Sequence, residues 1–381
     1  MTTKDEKKIE SSQNADVSEK TGKEKDDIYN DFTYTDQFAD EDFGFLGSYD
    51  EPEIKDEMLL PENTVKSAIS CGFLGIGGGG GKIAKAFLDI GFNKTVLINT
   101  THKDQPASLD KRHFLLLEGA DGVGKDVELG KKILSDNSTA VEDCLSTRFG
   151  KVDWVFVIVG GGGGTGSAAG ILHDPIERYM KSVGSSGRVV YIVSKPTAKE
   201  LLNSTIESNY ESILEDVSEY PHLIIDNERQ VQLLRGRVGM LNMYPVANTT
   251  FAKLLSQVLS LASQPSPIQT FDTKDLERCL RKDGRIFIGS TVVKNPNNRD
   301  LGTIVFQGSM KGSPCPSPTP GSKNGVLLLI VTSEMASNPD VSKSLESAMS
   351  YVGGRTETLF SGVYINEKIP GLIGITLFSG M

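Results

Sequence analysis

The sequence predicts an α/β fold: a doubly wound parallel sheet over residues 67–243, a long core helix over 244–264 and a smaller α+β region over 265–381, after a polar arm over 1–66. Three observations lead there. Short β-rich apolar runs alternate with helical patterns from residue 67 onward. Two of those runs end in strings of glycine that open helices. One apolar stretch at helical spacing then separates this alternation from a second set of strands.

At 381 residues, 38% of them hydrophobic, the chain can bury a real core and divide into two globular units. Its 40 basic residues against 50 acidic ones leave a net charge of −10, which argues against direct nucleic-acid binding. Cys71, Cys144, Cys279 and Cys315 form no CxxC pair and hold no metal-ligand spacing with the histidines, so reduced thiols and no protein metal site are expected. No apolar run approaches the roughly 20 residues of a membrane span. The N-terminus MTTKDEKKIESSQN lacks the apolar core of a secretory signal, so a cytoplasmic location is expected.

The arm, residues 1–66, is too polar to offset the entropy of ordering and is expected to be disordered. From Asp26 to Glu53 it has no Lys or Arg, while Tyr29, Phe32, Tyr34, Phe38, Phe43, Phe45 and Tyr49 are spaced among acids. Two readings stay open. One is a docking segment for a protein partner or a neighbouring filament, and the other is a solvating tail.

Next come AISCGFLGI, TVLINTT, DWVFVIVGG and RVVYIVSKP, which read as buried parallel strands. Between them KIAKAFLDIGF, DVELGKKILSDN and SAAGILHDPIERYMKSVG read as helices. In such a sheet, ligands bind beyond the carboxyl ends of the strands. Asn248 to Ser263 places Phe251, Leu254, Leu255, Val258 and Leu261 on one helical face, with a first turn near Pro245 and a stop before Pro265. After it IFIGSTVV, GTIVF, GVLLLIVTS, SGVYINE and GLIGITLF read as strands, and GSPCPSPTPGSKNG as a loop.

The glycine strings carry the chemistry. Strand AISCGFLG runs into Gly75-Ile-Gly77-Gly78-Gly79-Gly80-Gly81-Lys82 and then a helix, so backbone N–H groups and the helix dipole can converge on an anion. Residues 160–167, GGGGGTGS, lie between DWVFVIV and a helix expected to begin near Ala168. A turn needs few glycines, and each costs backbone entropy, so two such runs suit close approach to a polyphosphate. Two rival motifs overlap them. GxGxxG fits at 75–80, but where a dinucleotide site would place an acid the strand ends in Asn99-Thr100-Thr101. GxxxxGK fits at 119–125, but Asp126 follows in place of the Ser or Thr that ligates magnesium.

GGGTGS at 162–167 resembles the signature of the tubulin/FtsZ superfamily, and GIGGGGGK at 75–82 resembles the first nucleotide loop of FtsZ. Asn99-Thr100 is similar to that family's loop after the second strand, and Lys195-Pro196 with Glu200 to its ribose loop. GVGKDVELG at 122–130 is similar to its phosphate loop, which removes the P-loop rival. Asp226-Asn227, Tyr244 and Asn248 are similar to its guanine-reading positions, where an amide bonds the base edge and an aromatic stacks on it. The resemblance covers about 67–381, essentially everything after the arm.

The resemblance implies a GTPase domain, a core helix and an activation domain. It implies GTP/GDP, with Mg2+, held by Gly77, Gly78, Gly79, Gly80, Gly81, Lys82, Asn99, Gly122, Gly124, Gly162, Gly163, Gly164, Thr165, Gly166, Ser167, Pro196, Glu200, Asn227, Tyr244 and Asn248. TFDTKDL at 270–276 resembles the family's two-carboxylate loop, so Asp272 and Asp275 are the implied catalytic pair. In that family the loop completes the site of the next subunit in a head-to-tail filament, so hydrolysis requires polymerisation. By spacing alone, Asp272 is equally a helix cap and Asp275 a first-turn acid. The chain departs from the family at Lys82, Ala168, Ser204, Thr249 and Thr270. A nucleotide-binding scaffold of the same fold that hydrolyses slowly or not at all is therefore the second expectation.

Overall fold

The computed structural model describes residues 58–106 and 109–381, so the acidic aromatic stretch 26–53 lies outside the described residues. Those described belong to one unit spanning 42–381. Among them are ten strands: β1 (Cys71–Ile76), β2 (Thr95–Asn99), β3 (Phe114–Leu116), β4 (Trp154–Gly160), β5 (Val189–Lys195), β6 (Pro221–Asp226), β7 (Gly284–Val293), β8 (Ser322–Val331), β9 (Thr356–Ile365) and β10 (Leu372–Ser379). They form a sheet in the order β3-β2-β1-β4-β5-β6-β7-β10-β8-β9.

From β3 to β7 every pairing is parallel. β10 then runs antiparallel between β7 and β8, and β9 is parallel to β8. β1 and β2 are buried along their whole length, because helices cover both faces of a parallel sheet and neither face is spared for water. Six register pairs join β1 to β4, but only three, Pro221 to Leu223 against Gly284 to Ile286, join β6 to β7. The parallel and mixed parts of the sheet thus meet at a short seam.

One face of the sheet packs aromatics. Phe73 stacks on Phe87 at 4.2 Å and on Phe156 at 5.0 Å, and Phe251 of the core helix meets Phe87 edge-on at 6.1 Å. That helix spans Met243–Leu261 and buries Phe251, Leu254, Leu255, Val258 and Leu261, the stripe its spacing predicts. It runs the height of the parallel sheet. Its start lies beyond the carboxyl end of β6, while the N–H of Ala68, just before β1, bonds the carbonyl of Leu259 at 2.8 Å.

Two expectations change. GTIVF is not a strand but part of the helix Leu301–Gly312, whose buried Leu301, Gly302, Val305, Gly308 and Ser309 recur at helical spacing. The apolar run was too short to separate the two periods. Residues 58–66, placed with the arm, are packed instead: Leu60 is buried, its N–H bonds Arg148 and its carbonyl accepts from Lys94 Nζ at 2.8 Å. One apolar side chain with satisfied backbone groups anchors this otherwise polar stretch. Among the described residues no helix is long and apolar enough to cross a membrane. All four cysteines are buried and free, and burial pushes the Cys71 thiol up to about 12.

Candidate nucleotide site

In the strand order 3-2-1-4-5-6, the chain's crossovers reverse direction between β1 and β4, which opens a crevice at their carboxyl ends. Both glycine runs leave from there. The first is not a loop: residues 77–81 already belong to the helix Gly77–Asp89. Glycine is required because this helix presses on the sheet. A Cβ on Gly80 would stand 2.1 Å from the carbonyl oxygen of Ile158, and one on Gly75 2.6 Å from Ala84 Cβ. Gly77, at φ +72°, makes the turn that starts the helix. The first turn carries no acid and no side-chain cap, so the N–H groups of Gly77, Gly78 and Gly79, which have no acceptor within the helix, are left for a ligand.

The second run meets the first. A Cβ on Gly79 would be 3.3 Å from Gly160 Cα, and one on Gly77 3.1 Å from the Gly166 nitrogen. Here the chain makes a single helical turn, Gly164–Ser167, then a 3-10 turn, Ala169–Leu172, and only at His173 the longer helix His173–Ser182. The helix expected near Ala168 is thus broken in two. Thr165 is buried, with its Oγ1 3.3 Å from that of Thr100. Ser167 is fully buried and its hydroxyl has no hydrogen-bond partner among the described residues.

The 119–126 loop closes a third side. Gly122 and Gly124 both have positive φ, the Gly122 N–H bonds the Thr100 carbonyl at 2.9 Å, and the Gly164 N–H bonds the Gly124 carbonyl at 3.0 Å. Asn209, which the sequence reading missed, ties this loop to the second glycine run by donating to the carbonyls of Lys125 at 2.9 Å and Gly162 at 3.4 Å. Lys82 is exposed on the first glycine helix. Asn99 is buried and donates to Asp104 Oδ2 at 3.3 Å. Asp104 is a second missed residue. Its carboxylate lies against Gly78, where a Cβ would be 2.3 Å away, and no sequence pattern marks it.

Beyond β5 and β6 lie the remaining positions. Pro196 packs 3.1 Å from where a Gly162 Cβ would stand. The Glu200 carboxylate accepts from the N–H and hydroxyl of Thr197 at 2.8 and 2.7 Å, bracing its own turn. Asp226 caps the helix Asn227–Leu234 through the Arg229 N–H and pairs with Lys195 Nζ at 3.0 Å. Asn227 Oδ1 accepts from the Ser194 hydroxyl at 3.0 Å. Tyr244 is exposed, its phenol pushed up by partial burial and by the carboxylates of Glu200 and Glu228. Asn248 follows one turn later on the same helix, 8% exposed.

Asp272 and Asp275 stand apart from all of these. The helix Thr273–Leu280 begins beside the far end of the core helix, where Thr273 Oγ1 reaches the Ala262 carbonyl at 3.5 Å. The core helix's 19 residues rise about 1.5 Å each, which separates the two ends by roughly 28 Å. Asp272 is the cap of that helix, its Oδ1 accepting from the Asp275 N–H at 2.9 Å. Asp275 is half-buried, and its carboxyl is held above the usual range by desolvation and then by the Asp272 charge.

No protein-family model matches the chain. Solved structures do. A GTPγS-bound protofilament of CetZ2 from Haloferax volcanii superposes with a TM-score of 0.66 at 22% identity, covering 82% of this chain and 93% of that one. A GTPγS-form protofilament of TubZ from Bacillus thuringiensis serovar israelensis gives 0.69 at 17%, covering 83% and 89%. An empty FtsZ dimer from M. jannaschii gives 0.60 at 18%, covering 81% and 87%. The chain carries the fold of the tubulin/FtsZ superfamily.

Proposed function

We propose that this protein binds GTP at the glycine crevice, assembles head to tail and hydrolyses the nucleotide where two copies meet. Residues 67–243 bind, 244–264 link and 265–381 activate. The observation that carries this is the pair of incomplete sites at opposite ends of one rigid helix. The glycine end has bare N–H groups and no acid in the first turn of its helix, and the Asp272 end has two carboxylates at the start of another helix. One chain cannot close a gap of roughly 28 Å. A second copy stacked along the same axis would bring one end of each to the other, and the CetZ2 and TubZ structures are themselves GTPγS protofilaments.

In this reading the N–H groups of Gly77, Gly78 and Gly79, with those of the second glycine run other than the bonded Gly161 and Gly164, hold the phosphates, and Lys82 adds a charge from the rim. Tyr244 stacks on the base, while Asn227 and Asn248 bond its edge. Asp275 of the adjoining copy orients and deprotonates the attacking water, and Asp272 fixes it in place. Among the described residues no three carboxylate, imidazole or thiol groups gather to hold a metal ion, so Mg2+ would be held chiefly by phosphate oxygens and water, with Asp104 as the carboxylate at hand. That ion would neutralise charge on the transferred phosphoryl group.

The test is GTP turnover measured across protein concentration, alongside electron microscopy of the same samples. Turnover per molecule should rise cooperatively as filaments appear. A rate per molecule that stays flat, with no assembly, defeats the reading. Asp272 already spends one oxygen on its cap, which favours the second reading, a scaffold that keeps its nucleotide intact. Chromatography of the nucleotide carried through purification separates the two.

A further inference from the structure

We propose that Ser194 is a positioning residue that sets base selectivity, holding the Asn227 amide so that the pocket accepts a 6-oxo purine and rejects a 6-amino one. This rests on Asn227 as a base contact. The Ser194 hydroxyl is 3.0 Å from Asn227 Oδ1, and Ser194 is 8% exposed at the end of β5. A serine hydroxyl donates one hydrogen, and among the described residues this one has Asn227 Oδ1 as its acceptor. Turning the amide over would put Nδ2 against Oγ and leave the hydroxyl hydrogen without an acceptor in a nearly closed space. That loss is larger than the bond itself, so the amide is held oxygen-in.

With its oxygen turned toward Ser194, Asn227 presents the N–H donors of Nδ2 on its other side. A guanine or hypoxanthine ring presents an acceptor oxygen at position 6, which such a group bonds. An adenine presents an amine there, so donor would face donor and both would lose their water.

The backbone around Asn227 cannot yield to an ill-matched base. The Asp226 N–H bonds the Pro314 carbonyl at 2.9 Å, and Asp226 Oδ2 takes Lys195 Nζ at 3.0 Å. Arg229 donates to the carbonyls of Met310 at 2.6 Å and Ser313 at 3.2 Å. Ser194 is fixed too, since its carbonyl accepts the Gly161 N–H at 2.9 Å. The orienting hydroxyl and the phosphate-side glycine run are therefore held in one register.

The experiment compares affinities for GTP, ITP and ATP in the wild type, Ser194→Ala, Ser194→Thr and Asn227→Asp. ITP differs from ATP at position 6 and the adjoining ring nitrogen, so their ratio isolates this contact. The wild type should prefer ITP over ATP. Ser194→Ala, with a free amide, should lose that preference by about tenfold while ATP affinity holds or rises. Ser194→Thr, which keeps the hydroxyl, should retain it, and Asn227→Asp, which lacks the N–H donors, should abolish it. An unchanged ratio in Ser194→Ala, or an equal fall for all three nucleotides, overturns the proposal. Wild-type binding with no ITP preference does so as well and leaves the nucleotide site standing. Failure of the wild type to bind any of the three overturns the nucleotide reading and this inference together.

Discussion

The two sites proposed at the ends of the core helix are made of different material. At the Tyr244 end the cradle is backbone, and side chains are excluded by contact. A Cβ on Gly75, Gly78, Gly80, Gly161, Gly164 or Gly166 would come within 3 Å of a neighbouring atom. At the Ala262 end the site is two carboxylates on one helical turn, set on a scaffold that does not need them for packing. Substitution at the tightly packed glycines should therefore act through the fold, and substitution of Asp275 through the chemistry.

The largest effect is expected at the carboxylate end. Asp275→Ala leaves the cap intact, because Asp272 bonds the backbone N–H of residue 275 rather than its side chain. Turnover should fall by roughly 100-fold or more, the usual contribution of a positioned general base, with nucleotide affinity unchanged. Wild-type turnover in that variant would mean that the second site is only a helix terminus.

Next in size is a contrast within the glycine runs. A methyl group on Gly80 would meet the Ile158 carbonyl at 2.1 Å, whereas one on Gly163 meets nothing within 4 Å. Gly80→Ala should cost about 3 kcal/mol of stability, the upper part of the usual range for overpacking. Gly163→Ala should leave the melting midpoint near wild type. Equal midpoints for the two in thermal unfolding would show that the backbone end is less tightly built than its distances say.

What could be read from residues alone follows the same division. β1, β2, β4 and β5 were legible because strands buried on both faces are continuous apolar runs, and the core helix because five large side chains share its buried stripe. The glycine runs were legible because such composition has few other uses. GTIVF was not, since five apolar or small residues fit either period until the following QGSMKG is added. Nor were Asp104, Asn209 and Ser194, whose contacts to Gly78, Gly162 and Asn227 join residues distant in sequence. A polar side chain with one tertiary partner leaves no periodic trace. The cap at Asp272 was legible from spacing, whereas the catalytic reading of Asp272 and Asp275 rests on resemblance, because a cap and a carboxylate pair share one spacing.

Lys82 sharpens the comparison as the first charged side chain along the helix that opens the backbone cradle. It is exposed, so its pull on phosphate is screened by water and should be modest. Lys82→Ala should weaken triphosphate binding roughly three- to tenfold, and less for the diphosphate. A titration with fluorescent nucleotide at two salt concentrations checks this, since the wild-type advantage should shrink at the higher one.

The smallest expected effect is a shift along the pH axis. Asp275 is raised first by desolvation and second by the Asp272 charge, so the acid limb of turnover should lie above that of an unshifted aspartate, with turnover rising as pH passes through it. The same displacement means that the folded state binds this proton more tightly than the unfolded one. Ionising Asp275 therefore subtracts a little stability as pH rises through the same interval. Asp272→Asn keeps a side-chain oxygen for the cap but removes the neighbouring charge. Its acid limb should move to lower pH without reaching that of an ordinary aspartate, because burial remains. An acid limb that stays in place in pH–rate profiles would show that the two carboxylates do not act on each other during turnover, and that Asp272 serves the helix alone.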